Sequence, residues 1–192
     1  MSFTKIFLVH EKIGNLFQGS SQCQDFFYTD IGESEFSGYY TTMYQIQDTL
    51  KSLHEHRLKD FDNNANQAYI EFFGVMQALF VQQDSICELY NIITGSKLDT
   101  KGLPYWNILR DLRNKTVGHP SKKHIPKCKP LIRTFMPRGH LSYKRLKFEQ
   151  WQSPNLITHP EVDLGRKIDG YALEALGKLE IILDTMKLKW NS

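Results

Sequence analysis

The sequence predicts a mainly all-α fold: an antiparallel bundle of four to five helices, with a basic insertion, irregular or a β-hairpin, before the last helix. Three observations predict it. Apolar residues recur at three- and four-residue spacing through four long segments and one short one. Pro126, Pro130 and Pro137 then interrupt regular structure ahead of the last of these segments. Finally, no Asp or Glu occurs from Leu112 to Phe148, a stretch that holds eleven Lys and Arg. With no internal repeat, residues 1–192 read as one domain with an insertion at about 120–160.

Each element has its own signal. Ile6, Val9, Ile13 and Leu16 predict a first helix from about Ser2 to Gln18. Gly19 to Glu35, rich in Gly, Ser, Asp and aromatics, reads as an irregular connection. Met43, Ile46, Leu50 and Leu53 mark a second helix ending near Leu58, and Asp62, Asn63 and Asn64 supply capping groups for the next. The third helix is the longest, striped by Tyr69, Phe72, Met76, Leu79, Ile86, Tyr90 and Ile93 and ended by Gly95. Gln83 interrupts that stripe, either as a buried hydrogen-bonded amide or as a group facing a site. Pro104 opens a shorter helix with Leu109 and Leu112 on its buried side, closed by Gly118-His119-Pro120. Leu141 to Trp151 is expected as a strand paired with Leu131 to Met136. From Gly165, the residues Ile168, Ala172, Leu176, Leu179, Leu183, Met186 and Trp190 define the last helix.

Composition narrows the function. Hydrophobic residues at 41% and charged residues at 23% are those of an ordinary globular chain, which excludes disorder. The apolar runs are short and broken by charges, so no membrane span is expected. Phe3 to His10 lacks the basic start and small-residue cleavage site of a leader. Cys23, Cys87 and Cys128 are odd in number and widely spaced, which argues against a disulfide framework or a zinc cluster and for a reducing, cytoplasmic setting. Cys87 falls in an apolar stripe and reads as core filling. The net charge of +3 hides a polarised chain, because outside Leu112–Phe148 there remain 13 basic against 21 acidic residues. An acid-free basic segment suits a polyanion, whose phosphates Lys and Arg neutralise with release of counterions.

The segment around the fourth helix end carries the chemistry. On an unbroken helix, Arg113 and His119 would be displaced by about 240°. Gly118 is expected to take the left-handed conformation that ends a helix, and Pro120 disfavours helical geometry at His119, so the imidazole can fold back toward Arg113. Arg offers a permanently charged fork of donors matched to phosphate oxygens. His exchanges protons near neutrality, and so suits removal of a proton from a ribose 2′-OH and delivery of one to a leaving 5′ oxygen. Such a route needs no metal or other cofactor and cannot operate on DNA. The competing structural reading makes Arg113 half of a surface ion pair and His119 a capping residue.

Arg113-Asn114 followed by His119 resembles the HEPN signature: an Arg, four to six residues, then a His, with a polar residue commonly right after the Arg. The likeness includes the preceding long helix with Gln82-Gln83-Asp84, and covers Met43 to His119 plus the final helix. It implies a two-fold homodimer in which the Arg and His of both subunits line one composite active site. It also implies that Arg113 positions the phosphate, Asn114 supports it and His119 transfers the proton. The implied function is that of a metal-independent endoribonuclease, a toxin or phage-defence effector acting on RNA, with an antitoxin protein as a partner. Some HEPN-like proteins are instead non-catalytic scaffolds that bind RNA or protein. Ser121 stands where HEPN toxins silenced by a nucleotidyltransferase carry a Tyr, which speaks against that mode of control.

Other residues support or compete. Arg110, one turn before Arg113, is either a second phosphate contact or half of an ion pair. Lys115, Lys122, Lys123 and Lys127, with His124 nearby, are candidate RNA contacts. His140, Tyr143, Phe148 and Trp151 would either stack on bases or pack against the bundle. His54-Glu55-His56 resembles a metal motif, but on a helix its two His are about 200° apart, and it reads as a solvated face.

Overall fold

Four long helices carry the core of this chain, seen in a computed structural model that describes residues 2–30, 33–118, 132–136, 141–152 and 156–190. They are α1 (Ser2–Gly19), α3 (Glu33–Lys59), α4 (Ala65–Thr94) and α6 (Leu164–Trp190). The short helices α2 (Ser21–Asp25) and α5 (Pro104–Arg113) complete a mainly helical fold, with a small antiparallel strand insertion ahead of α6. Helix α3 runs antiparallel to α4, as the cross-links Gln45–Ser85, Thr49–Gln82 and Lys59–Glu71 show by their opposed numbering. Helix α1 packs on α6 and α3, and α5 lies against α4 and α6.

The helix ends follow local chemistry. Asn64 caps α4, its side-chain oxygen accepting from the amides of Asn66 and Gln67. Gly95 closes the same helix with φ +71°, a left-handed conformation open to glycine at no steric cost. Pro104 sits in the first turn of α5, but Leu103 offers no side-chain cap there. Glu174 of α6 supplies it instead, accepting from the amides of Tyr105 and Trp106 at 3.0 and 2.7 Å. Beside this contact a β-carbon on Gly170 would lie 2.4 Å from the Tyr105 ring, so glycine lets α5 and α6 meet closely.

The segment read as irregular is folded. Ser20 caps α2 through the Cys23 amide and donates its hydroxyl to the Trp190 carbonyl at 3.0 Å. A π-helical turn, Phe26–Asp30, follows. Phe26 and Phe27 pack their rings on Trp190, and Phe27 also meets Phe17 and Tyr39. Aromatic packing against distant residues, rather than periodicity within the segment, organises it. Cys23 lies in this core, and burial pushes its thiol up to about 12. Cys87 packs partly buried against the core as expected, and Cys128 lies outside the described residues.

In the insertion, β1 (Ile132–Phe135) pairs antiparallel with β3 (Glu149–Gln152), Phe135 opposite Glu149 and Ile132 opposite Gln152. The expected pairing is therefore present at the end of the predicted strand, but Leu141 to Arg145 is not strand. Leu141 and Tyr143 are buried instead, drawn onto the bundle by their apolar surface. Two further pairings were not foreseen: β4 (Leu156–Thr158) adds to β3, while β2 (Leu146–Lys147) pairs with β5 (Glu161–Val162).

Candidate functional site at the end of α5

Helix α5 does not stop at Arg113. It widens into a π-helical turn, Asn114–Gly118, that includes all but the first and last residues of the predicted motif. A π turn bonds residues five apart. It therefore places Gly118 against Arg113, its neighbour five positions earlier, where α-helical spacing would rotate the two apart. The guanidinium lies over Gly118: a β-carbon there would be 2.8 Å from Arg113 Nη1 and 3.5 Å from Asn114 Oδ1. Gly118 does not take the expected left-handed conformation; its role is to leave room for the guanidinium. Thr116, buried, donates its hydroxyl to the Leu112 carbonyl at 2.8 Å and steadies the turn.

Arg113 is held, but no described residue neutralises it. Nη1 donates to Asn114 Oδ1 at 3.3 Å, and Nη2 to Gln77 Oε1 at 3.2 Å. Both acceptors are uncharged amides. The guanidinium carbon stands 4.2 Å from the centre of the Phe80 ring, within cation–π range. Among the described residues no carboxylate pairs with Arg113. Its Nε is sealed from solvent without a hydrogen bond among the described residues.

Arg110 differs. Its Nη1 donates to Asp84 Oδ1 at 2.7 Å while its guanidinium carbon lies 4.4 Å from the same Phe80 ring. That selects the ion-pair reading for Arg110, whose charge Asp84 compensates, while Arg113 has no such partner among the described residues. Lys115 pairs with Asp111 one turn back. Gln83 resolves to the buried amide: its Nε2 donates to the Trp106 carbonyl at 3.0 Å, fixing α5 on α4. His119, Lys122, Lys123, Lys127, His124 and His140 lie outside the described residues. Thus Arg113 and Asn114 come together, with His119 the next residue in the chain after the contacted Gly118.

Sequence reasoning missed Gln77 and Phe80, the α4 residues that orient Arg113. Their spacing from Gln83 was the available signal, since 77, 80 and 83–84 fall along one flank of a helix. It also misread His56, which is not on a solvated face. Its Nδ1 meets the Tyr143 hydroxyl at 2.7 Å, and its Nε2 stands 3.5 Å from Glu71 Oε2. Partial desolvation works to raise the Glu71 pKa. Hydrogen bonds from Lys59 Nζ and the Asp62 amide, with the charges of Lys59 and His56, outweigh it and hold the carboxyl down at about 2. This cluster clasps the insertion to α3 and α4. Among the described residues no group of three His, Cys, Asp or Glu is placed to hold a metal ion, and no helix is long and apolar enough to cross a membrane.

Compared with family models, curated protein sequences and solved structures, the chain matches none.

Proposed function

We propose that this protein is a metal-independent endoribonuclease of HEPN type. The observation that carries the reading is the uncompensated guanidinium of Arg113, oriented by neutral groups over Gly118, one residue before His119. A fixed positive charge with no carboxylate partner is what a phosphate-holding group requires, because a resident acid would compete with the substrate. Arg113 grips non-bridging oxygens of the scissile phosphate. The ribose 2′-oxygen attacks phosphorus, its proton passing to one His119 imidazole, and the P–O5′ bond breaks as a second His119 protonates the leaving oxygen. The products are a 2′,3′-cyclic phosphate and a 5′-hydroxyl.

Two imidazoles come from two copies of the chain, so the reading includes a homodimer with a composite site. The described part of the basic segment assists by attracting RNA: Arg133 and Lys144 have no ion-pair partner among the described residues. A toxin or phage-defence role, restrained by an antitoxin, is the physiological extension of this activity. The test is incubation of the purified protein with RNA in EDTA, beside Arg113→Ala and His119→Ala. Cyclic-phosphate ends that vanish in both variants are expected; cleavage indifferent to either substitution rejects the mechanism.

A second reading, a non-catalytic RNA-binding scaffold, draws on the hold that Gln77, Asn114 and Phe80 already have on the guanidinium. Binding with steep salt dependence and no products would select it.

A further inference from the structure

The sheet β1-β3-β4 has two unlike faces. Side chains alternate across a strand. Thr134 is buried, which turns that side of β1 toward the body of the protein, while Leu156 of the edge strand β4, on the same side, stays exposed. The other face carries Arg133, Phe135, Glu149, Trp151 and Ile157, with Arg133 directly opposite Trp151 and Trp151 opposite Ile157. Phe135, Trp151 and Ile157 each leave 49% of their surface open to solvent. The Phe135 and Trp151 rings meet edge to face, centroids 5.7 Å apart. The indole Nε1 donates to Glu149 Oε1, which pins the ring by its edge.

Single exposed apolar side chains need no explanation, but here two aromatics and an aliphatic share one small face with an exposed Arg. Arg133 makes no ion pair among the described residues. Strand β1 packs near the π turn that holds Arg113, so the sheet as a whole lies beside the candidate phosphate site. Only its β1 residues, Arg133 and Phe135, belong to the segment without acids that ends at Phe148; β3 adds the carboxylate of Glu149, which holds the indole edge. Apolar rings alone would suit many partners. Rings beside a cation with no ion-pair partner among the described residues suit a chain of bases and phosphates.

We propose that this face is a base-stacking platform for single-stranded RNA, with Trp151 and Phe135 receiving the faces of bases and Arg133 a phosphate between them. Paired bases hide their faces within the helix stack, so the platform selects unpaired RNA. The proposal rests on RNA being the ligand, and it deepens the reading above by naming the form of RNA taken.

Trp151 is suited to report on itself, since Trp106 and Trp190 are buried. The probe is a 2′-O-methyl oligonucleotide of about twelve residues, which cannot be cleaved by 2′-OH attack, titrated at low salt with tryptophan fluorescence recorded. Expected are quenching on binding, about tenfold weaker affinity and no quench for Trp151→Leu, and near-normal affinity for Trp151→Phe. Arg133→Ala, a change at an exposed side chain, should weaken binding and lower the slope of log affinity against log salt by about one. Binding that occurs without quenching, or that ignores Trp151→Leu and Arg133→Ala alike, overturns the platform. So does a Trp151→Leu effect on self-association with RNA affinity unchanged, which would make the face an interface between copies. Failure of the ribonuclease reading is distinct: quenching persists while unmodified RNA stays intact. The converse, cleavage with unchanged KM in Trp151→Leu, removes the platform alone.

Discussion

Arg113 and Gly118 are in contact across one π-helical turn, the guanidinium lying where a side chain at position 118 would begin. This contact couples a backbone irregularity to the placement of a charge.

Gly118→Ala should therefore reduce RNA cleavage while leaving the fold intact. A β-carbon 2.8 Å from Nη1 displaces the guanidinium, and a misplacement of about 1 Å costs on the order of 100-fold in rate. Alanine is meanwhile better than glycine within a helical segment by roughly 0.5–1 kcal/mol. The expected pair of results is lower kcat with an unchanged or higher melting temperature. Equal activity would show that the guanidinium does not act at that position.

Arg113→Lys should be nearly as damaging as Arg113→Ala. Lysine keeps the charge but loses the planar fork that reaches Gln77 and Asn114 together. A loss of about 100-fold or more in kcat is expected for both, measured as cyclic-phosphate ends formed. Full activity in the lysine variant would reduce the role of Arg113 to bulk charge.

Glu174→Ala should destabilise the protein by about 1–2 kcal/mol, since it uncovers two amides at the start of α5 that no local side chain caps. In a chain of this size that corresponds to a fall of about 3–6 °C in melting temperature. Gly170→Ala acts on the same junction by driving a β-carbon into the Tyr105 ring, and should also lower it.

Acid should weaken the clasp between the insertion and the bundle. Glu71 titrates near 4.5 when unfolded and at about 2 when folded, so its stabilising contribution is complete above the unfolded value. It is lost as the pH falls through the folded one. Glu71→Gln should flatten the dependence of stability on pH between about 5 and 2, in denaturant titrations at fixed ionic strength. An unaltered pH profile would place the acid sensitivity elsewhere.

Much of this architecture was legible because it rests on local rules. The stripes of α1, α3, α4 and α6, the Asn64 cap and the Gly95 stop were read from spacing and residue type, and each is present, except that Tyr69 of the α4 stripe is exposed. The aromatic segment after α1 was misread because its five-residue turns are too short to show a period. Tyr143 and His56 were misplaced because their partner groups lie 87 residues apart in the chain.

Residue order is enough to set the long helices, the electrical asymmetry of the insertion and the Arg113-Asn114 pair before His119, since all three depend on neighbours along the chain. Which arginine keeps a free charge is a different matter. Asp84 neutralises Arg110, while Gln77 and Phe80 only orient Arg113, and both outcomes follow from how α5 docks on α4. That docking depends on Glu174 and Gly170 of α6, far along the chain. Charge compensation acts through space over a few ångströms, so it is settled only when the helices have packed.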